Sequence, residues 1–481
     1  MILMWGFIGV AAVLSLGQNP ASKDGTDATR VLTLEEAVKL ALVENLNLQS
    51  TVDVVQGAMI GESLAESRFN FKVTPSYERG FGEQSVLDQG VGVEVSKLLP
   101  FGTTITGGLR SDWAGAELGN VNASAASFRV TQPLLRGFGK KTTEYDLQNS
   151  RRSLQSSERN LELSRQRLAV DVVSTYYNIV RQAGLVDVAE KSLQRNKELL
   201  RASEARLEVG LASKLDVFRA ELQLSQAEEG VIFRKEALEL ALDSFKFSLG
   251  LAPTEVVALE MMEPEFQPVE VDVDAATAAA LQNRIEMREE QDRIQDAQRS
   301  LAVSRQNLLP QVDLNFRYER RGLGNSFGSS FDFVDNALNM FLSTSYPLDR
   351  SSENASFAMT QIELGARRRQ MRLVEYNIAN EVRAAARNVE RIGKSIVLQE
   401  RNTDFAEKQL RLATLRYQRG LASNFDIIDA ENNLIQARSN YVSLVSDYHV
   451  AQIELKRVTG TLDVATEFAP GNRLPSARHH P

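Results

Sequence analysis

Arg206-Leu207-Glu208-Val209-Gly210-Leu211-Ala212-Ser213-Lys214-Leu215-Asp216 recurs 210 positions further on as Arg416-Tyr417-Gln418-Arg419-Gly420-Leu421-Ala422-Ser423-Asn424-Phe425-Asp426. Each copy places a glycine where a left-handed residue ends a helix. Each then places a serine with an aspartate three residues on, the S-x-x-D spacing of a capping box. The stretch therefore reads as a sharp helix-to-helix reversal, made twice in a duplicated chain.

Upstream of the first reversal, Val172, Ile179, Val186, Leu193, Leu200 and Leu207 fall on a strict seven-residue repeat. Val382, Val389, Ile396, Thr403, Leu410 and Tyr417 hold the same phase before the second. Both runs predict a coiled-coil-like seam. Pro133 and Gly139 bound the first run and Pro347 stands before the second. The long helices are expected over 142–208 and 351–419, and shorter ones over 213–249 and 423–459. From Thr142 to Glu208 a helix extends roughly 100 Å at about 1.5 Å per residue. A rod of that length suits a bundle or tube that spans a distance better than a globule that encloses a pocket.

The 481 residues carry no cysteine, which removes disulfides, thiolate metal sites, thiol nucleophiles and attachment of lipid to an N-terminal cysteine. The net charge is −8, with both signs spread along the chain, so no nucleic-acid surface is expected. Met1 to Gly17 is an apolar run ending in small residues, Ser15 and Gly17, and reads as a signal peptide, although no basic residue precedes it. No other stretch is apolar enough for a membrane helix.

Strand patterns interrupt the helices. Val312, Leu314, Phe316 and Tyr318 alternate with polar residues, as do Leu338, Met340 and Leu342, and a Gly/Ser-rich loop from Arg321 to Asp335 joins the two runs. That is a hairpin with one apolar and one polar face. In the first half Val91, Val93 and Val95 alternate with Gly92, Glu94 and Ser96, and Phe128 and Val130 alternate with Ser127, Arg129 and Thr131. Further candidate strands lie at Lys72 to Arg79 and Thr103 to Leu109, so the first half holds more strand material than the second. Counted as four strands per chain, these cannot close a barrel, which takes about eight. An open sheet in lipid leaves edge groups unpaired, so other copies of the chain must complete it.

The order of these features resembles the TolC family of outer-membrane factors over nearly the whole chain. Leu32-Thr33-Leu34-Glu35-Glu36-Ala37-Val38 through Asn45-Leu46 is similar to that family's opening helix, and Gln132-Pro133-Leu134-Leu135-Arg136-Gly137-Phe138-Gly139 to its entry into the long helix. Leu309-Pro310, Tyr346-Pro347-Leu348 and the two reversals repeat the plan in the second half. The resemblance implies a mainly α protein with a membrane β part. It implies a homotrimer: a 12-stranded β-barrel in the outer membrane, continued by a 12-helix α-barrel through the periplasm. It also implies a passive conduit that meets an inner-membrane transporter through a periplasmic adaptor, with no cofactor and no metal. Small-molecule efflux and protein export both fit such a conduit.

In that family the reversals form the periplasmic mouth. Val209, Gly210 and Leu211, with Gly420 and Leu421, match the adaptor-contacting tips, Arg419 standing where a small apolar residue is usual. Asp426, Asp429 and Tyr417 align with the gate constriction, where three chains bring six carboxylates near one axis. Such a ring favours cations, and mutual repulsion raises carboxylate pKa values. Ser213, Asp216 and Ser423 read as caps, and capping is also open for Asp426. The family's latching arginine is replaced by Ala422, which leaves Arg419 or Lys214 as a substitute cation.

Enzymatic readings find little. The histidines are His449, His479 and His480, the last two in a Pro-containing tail. Gly80-Phe81-Gly82 and Gly137-Phe138-Gly139 lack the lysine of a phosphate loop. Glu289-Glu290 lies in a charged helical stretch. The alternative class is a coiled-coil scaffold with soluble β-hairpin caps. The expected organisation is a signal over 1–17, a polar lead over 18–31, repeats over 32–250 and 273–462, a connector over 251–272, and a disordered tail over 463–481.

Overall fold

The computed structural model describes residues 31–80, 89–113, 121–260 and 265–468. The first repeat runs β1 (Val31–Leu32), α1 (Leu34–Glu44), α2 (Leu46–Ser67), β2 (Lys72–Arg79), β3 (Gln89–Leu98), β4 (Thr104–Trp113), β5 (Asn122–Pro133), α3 (Lys140–Thr143), α4 (Tyr145–Glu208) and α5 (Lys214–Leu249). After β6 (Ala258–Leu259), the second runs α6 (Val273–Asn283), α7 (Ile285–Asn307), β7 (Gln311–Gly324), β8 (Asp335–Ser345), α8 (Ser351–Gln418) and α9 (Asn424–Val458), and α10 (Val464–Glu467) closes the chain.

The long helices α4 and α8 have 64 and 68 residues, within a few residues of expectation. In α8 the expected seam is the buried line: Val382, Val389 and Ile396 are inaccessible and Tyr417 is nearly so. In α4 the line matches at Val172 and Ile179, then shifts one residue earlier to Leu185, Ser192 and Leu199. Below Ile179, α4 is held between α5 and α9.

The largest core lies midway along the rod. Val172, Tyr176 and Ile179 of α4, Val38 of α1, and Phe245 and Leu249 of α5 pack there. Asn45 breaks α1 from α2 by accepting from the Leu48 amide, and its side chain donates to the Ser248 carbonyl at 2.9 Å. The connector is part of this belt: β6 pairs in parallel with β1, and Phe266 packs edge-on to Tyr448. The tail expectation is corrected over its first residues. Val464 and Phe468 are buried in the core, because an apolar pair there covers the end of the belt more cheaply than water does. The signal, nearly all of the polar lead and residues 469–481 lie outside the described residues.

All strands above the belt form one sheet in the order β2-β3-β4-β5-β7-β8, antiparallel throughout. The expected four strands per chain are corrected to six. All six stretches are candidate strands in the sequence, but alternation within a stretch does not show which stretches join one sheet. Register aligns the alternation across the sheet: Val73 faces Val95, Val93 faces Leu109, Ile105 faces Val130, Val130 faces Phe316, and Phe316 faces Met340. One face is thus a continuous apolar band. The other carries charge, including Arg110 paired with Glu78 at 2.6 Å and Asp112 at 2.8 Å. Among the described residues no helix is long and apolar enough to cross a membrane.

His449 sits in the belt, stacked on Tyr177 with ring centroids 4.9 Å apart. Burial lowers its pKa below the ordinary 6.5, partly offset by a hydrogen bond with the Glu265 backbone. The unfolded chain therefore takes up this proton first as pH falls from 6.5, and stability declines until the folded pKa is passed. We expect the fall in melting temperature between pH 7 and pH 5 to be smaller in His449→Phe than in wild type; equal falls show that other groups carry the acid sensitivity.

Candidate functional site at the helix tips

Both reversals are built alike. Gly210 has φ 74° and Gly420 φ 76°, the left-handed conformation that glycine adopts without a Cβ penalty. The Leu211 amide donates to the Arg206 carbonyl at 2.7 Å and the Gly210 amide to Leu207 at 3.0 Å. Leu421 and Gly420 make the matching pair with Arg416 and Tyr417, both at 2.9 Å. This is the six-to-one and five-to-two bonding of a Schellman turn, which satisfies the last helical carbonyls. It turns the next side chain into water: Leu211 is 69% exposed and Leu421 74%, with Val209 beside Leu211 equally bare.

The following helices start with full capping boxes. Asp216 accepts from the Ser213 amide at 3.0 Å, and Asp426 from the Ser423 amide at 2.7 Å and the Ser423 hydroxyl at 2.9 Å. These bonds hold both carboxyls below the ordinary 3.8. Within one chain Asp426 is therefore lowered, not raised as repulsion in a ring implies, because it already receives two hydrogen bonds. Asp429, a helical turn further, is exposed and accepts from Asn433 at 3.4 Å. The capping reading holds for Asp426, and its second oxygen remains open to solvent.

Tyr417 does not face water within the chain. Only 7% exposed, it packs with Leu199, Ala220 and Ile427. The Arg206 guanidinium lies 4.4 Å above its ring and also donates to its carbonyl oxygen. Ser203 Oγ donates to the Leu199 carbonyl, so Tyr417 Oη donates to Ser203 across 3.2 Å. Asn424, 1% exposed, donates to the Asp216 carbonyl at 2.8 Å and approaches Ser203 Oγ at 3.4 Å. Higher up, Arg195 of α4 grips Glu431 of α9 through two bonds of 2.7 Å. These polar ties join the first reversal to the second.

The cation in this cluster is Arg206. The side chains of Arg419 and Lys214 make no hydrogen bond or ion pair among the described residues. Reading the sequence missed Arg206, Ser203, Asn424, Arg195 and Glu431. The signal was the asymmetry of the repeats, since Leu207 becomes Tyr417 and Lys214 becomes Asn424 at equivalent positions.

Residues 89–251 and 276–461 match the family described as outer membrane efflux protein. The chain belongs to that family. It is a TolC-family outer-membrane factor, 21% identical over 370 residues to outer membrane protein TolC of Escherichia coli, covering 74% of this chain and 73% of that protein. It is 24% identical over 339 residues to nodulation protein T of Rhizobium leguminosarum, covering 67% of this chain and 66% of that one. Among solved structures, the fold matches the CmeC outer membrane channel of Campylobacter jejuni with a TM-score of 0.70 at 14% identity, covering 90% of this chain and 88% of that one. It matches the outer membrane protein VceC of Vibrio cholerae with a TM-score of 0.69 at 16% identity, covering 89% and 96%. Family membership and the apolar band together remove the soluble-scaffold alternative.

Breaking the buried ion pair tests the ties between the tips of this outer-membrane factor. Arg195→Ala leaves Glu431, whose side chain is 3% exposed, without its partner. The expected cost is about 3 kcal/mol or more, read as a lower melting temperature and faster amide exchange around 195–216 and 417–431. Glu431→Gln, which buries no charge, costs less; equal losses in the two variants contradict the reading.

Proposed function

We propose that the chain is the outer-membrane channel of a tripartite efflux pump or type I secretion system. Three copies form a β-barrel in the outer membrane and a twelve-helix tunnel in the periplasm. Substrate passes passively from an inner-membrane transporter through a periplasmic adaptor to the exterior. The observation that carries this reading is the join of a sheet with one continuous apolar face to a helical rod roughly 100 Å long. Exposed aromatics at both ends of the band support it, Phe71, Phe101 and Tyr346 near the helices and Phe327 at the far end, as in the girdles of membrane barrels.

The tips are the gate in this proposal. Helices α8 and α9 pack through apolar residues, Val389, Ile392 and Ile396 against Val445 and Tyr448, and Ala406 against Leu434. They move as one unit. Their contact with α4 near the tips adds to a small apolar cluster, Leu199 with Tyr417 and Ile427, the polar pairs Arg206–Tyr417, Ser203–Tyr417, Ser203–Asn424 and Arg195–Glu431. Polar ties exchange for water at a net cost of about 1 kcal/mol each, so a docking partner can release them. Exposed Val209, Leu211 and Leu421 offer the apolar grip for an adaptor's helical hairpin. Asp426 and Asp429 supply the cation-favouring ring.

Single-channel conductance of the mature chain in a planar bilayer tests both parts. Wild type should give small cation-selective steps. Asp426→Asn plus Asp429→Asn keeps the cap geometry and should lose most of the selectivity. Arg206→Ala plus Asn424→Ala should enlarge the steps several-fold. Unchanged selectivity removes the aspartates from the gate, unchanged step size removes the ties, and absence of conductance from folded protein overturns the channel.

A further inference from the structure

The two outer strands of the sheet, β2 and β8, have no strand paired on one side among the described residues, and they are its most exposed strands. Hydrocarbon offers no water to their free backbone groups, so each edge requires a strand from elsewhere. Successive antiparallel pairings fix their directions: β2 leaves the α2 end and β8 returns to the α8 end, so they run oppositely. An edge β2 of one copy can therefore pair antiparallel with β8 of the next, and the ring closes with a strand count six times the number of copies.

We propose that three copies of this chain close an eighteen-stranded barrel through β2–β8 pairing, with β3 and β4 forming part of the lipid-facing wall. The inference rests on the trimer proposed above and departs from the twelve strands that the family resemblance implies.

Three observations carry it. First, β3 and β4 continue the alternation of their neighbours without a phase break. Val91, Val93 and Val95 share a face with Ile105 and Leu109, in line with Tyr77, Pro75 and Val73 on one side and Phe128 on the other. A hairpin folded away from the wall would have no need of that register. Second, the turn that joins β3 to β4 is anchored at the rim where strands meet helices. The Gly139 amide donates to the Phe101 carbonyl at 3.1 Å. Gly102, with φ 92°, sits so close to the β5–α3 link that a Cβ there would lie 2.6 Å from the Gly137 carbonyl oxygen.

Third, the widths agree. Each chain joins strands to four helical ends at the rim, those of α2, α3, α7 and α8. Four helices side by side occupy about 32–40 Å of circumference at interaxial distances of about 8–10 Å. Six strands spaced about 4.8 Å and tilted about 40° occupy about 38 Å, whereas four occupy about 25 Å. The added hairpin thus brings the sheet to the width of the helical layer beneath it. Eighteen strands give a wall about 36 Å across, against about 24 Å for twelve, which leaves the tips rather than the barrel as the narrow section.

Cryo-electron microscopy of the full mature chain in lipid nanodiscs tests this directly, paired with the mass of the particle. Three copies with eighteen strands in the wall is the expected result. Three copies with twelve strands and β3–β4 outside the wall overturns this inference while leaving the channel intact. A particle that is not a trimer overturns the assembly reading and this inference with it. Substitution gives an independent check: Val93→Arg and Leu109→Arg should abolish recovery of the trimer from membranes, while Ser96→Arg, on the polar face, should retain it. Equal recovery of all three removes β3 and β4 from the lipid face.

Discussion

A backbone amide or carbonyl that enters hydrocarbon must have a partner, and this protein's sheet has two edges without one. Most of the architecture answers that requirement. In the proposed barrel the apolar band that runs across the six strands is the lipid-facing wall. In that proposed assembly the neighbouring copy follows from the same rule, as does the match in width between sheet and helices: a wall that closes on itself must meet a helical layer that closes too.

Below the membrane part, the physics changes from backbone pairing to side-chain seams. Helices α8 and α9 share apolar contacts along much of their length, while near the tips α4 meets them through a small apolar cluster around Leu199 and Tyr417 together with hydrogen bonds and charge. Apolar contacts hold two helices in one relation, since separating them exposes surface at about 25 cal/mol per Å². Polar contacts have a ready substitute in water. The same helical rod is thus firm in one direction and separable in another, and the separable side carries the reversals that leave leucines bare.

The midsection belt explains how a long thin fold keeps its register. Here α1, the connector, α10 and the middle of α4 converge, and the large side chains of Phe245, Tyr448 and Ile179 are sealed from water. Stretches that look like linkers in sequence are used as packing pieces. Phe266 in the connector is a single apolar residue between Glu265 and Gln267, and Val464 with Phe468 is one pair only, too short a pattern for a period to betray its role. Their burial depends on what arrives from over a hundred positions away.

Much was legible in the residues. The heptads of α4 and α8, the glycine turns and the S-x-x-D caps are local patterns with local causes, and each gave the expected element, although the buried line of α4 leaves its heptad below Ile179. The six strand alternations were equally local, but how many of them join one sheet was not, and the count of four left two out. The tie between the tips was not local. Arg206 contacts Tyr417 only because two reversals of nearly the same sequence are brought side by side, and nothing in either copy alone distinguishes Arg206 from Arg416. The sequence by itself determined where the chain is helix, strand or turn, since hydrogen bonds over a few residues and the period of apolar side chains set those choices. The tertiary structure alone decided which strands are neighbours, which edges stay open and which polar residues meet, because those contacts join positions whose separation no local period records.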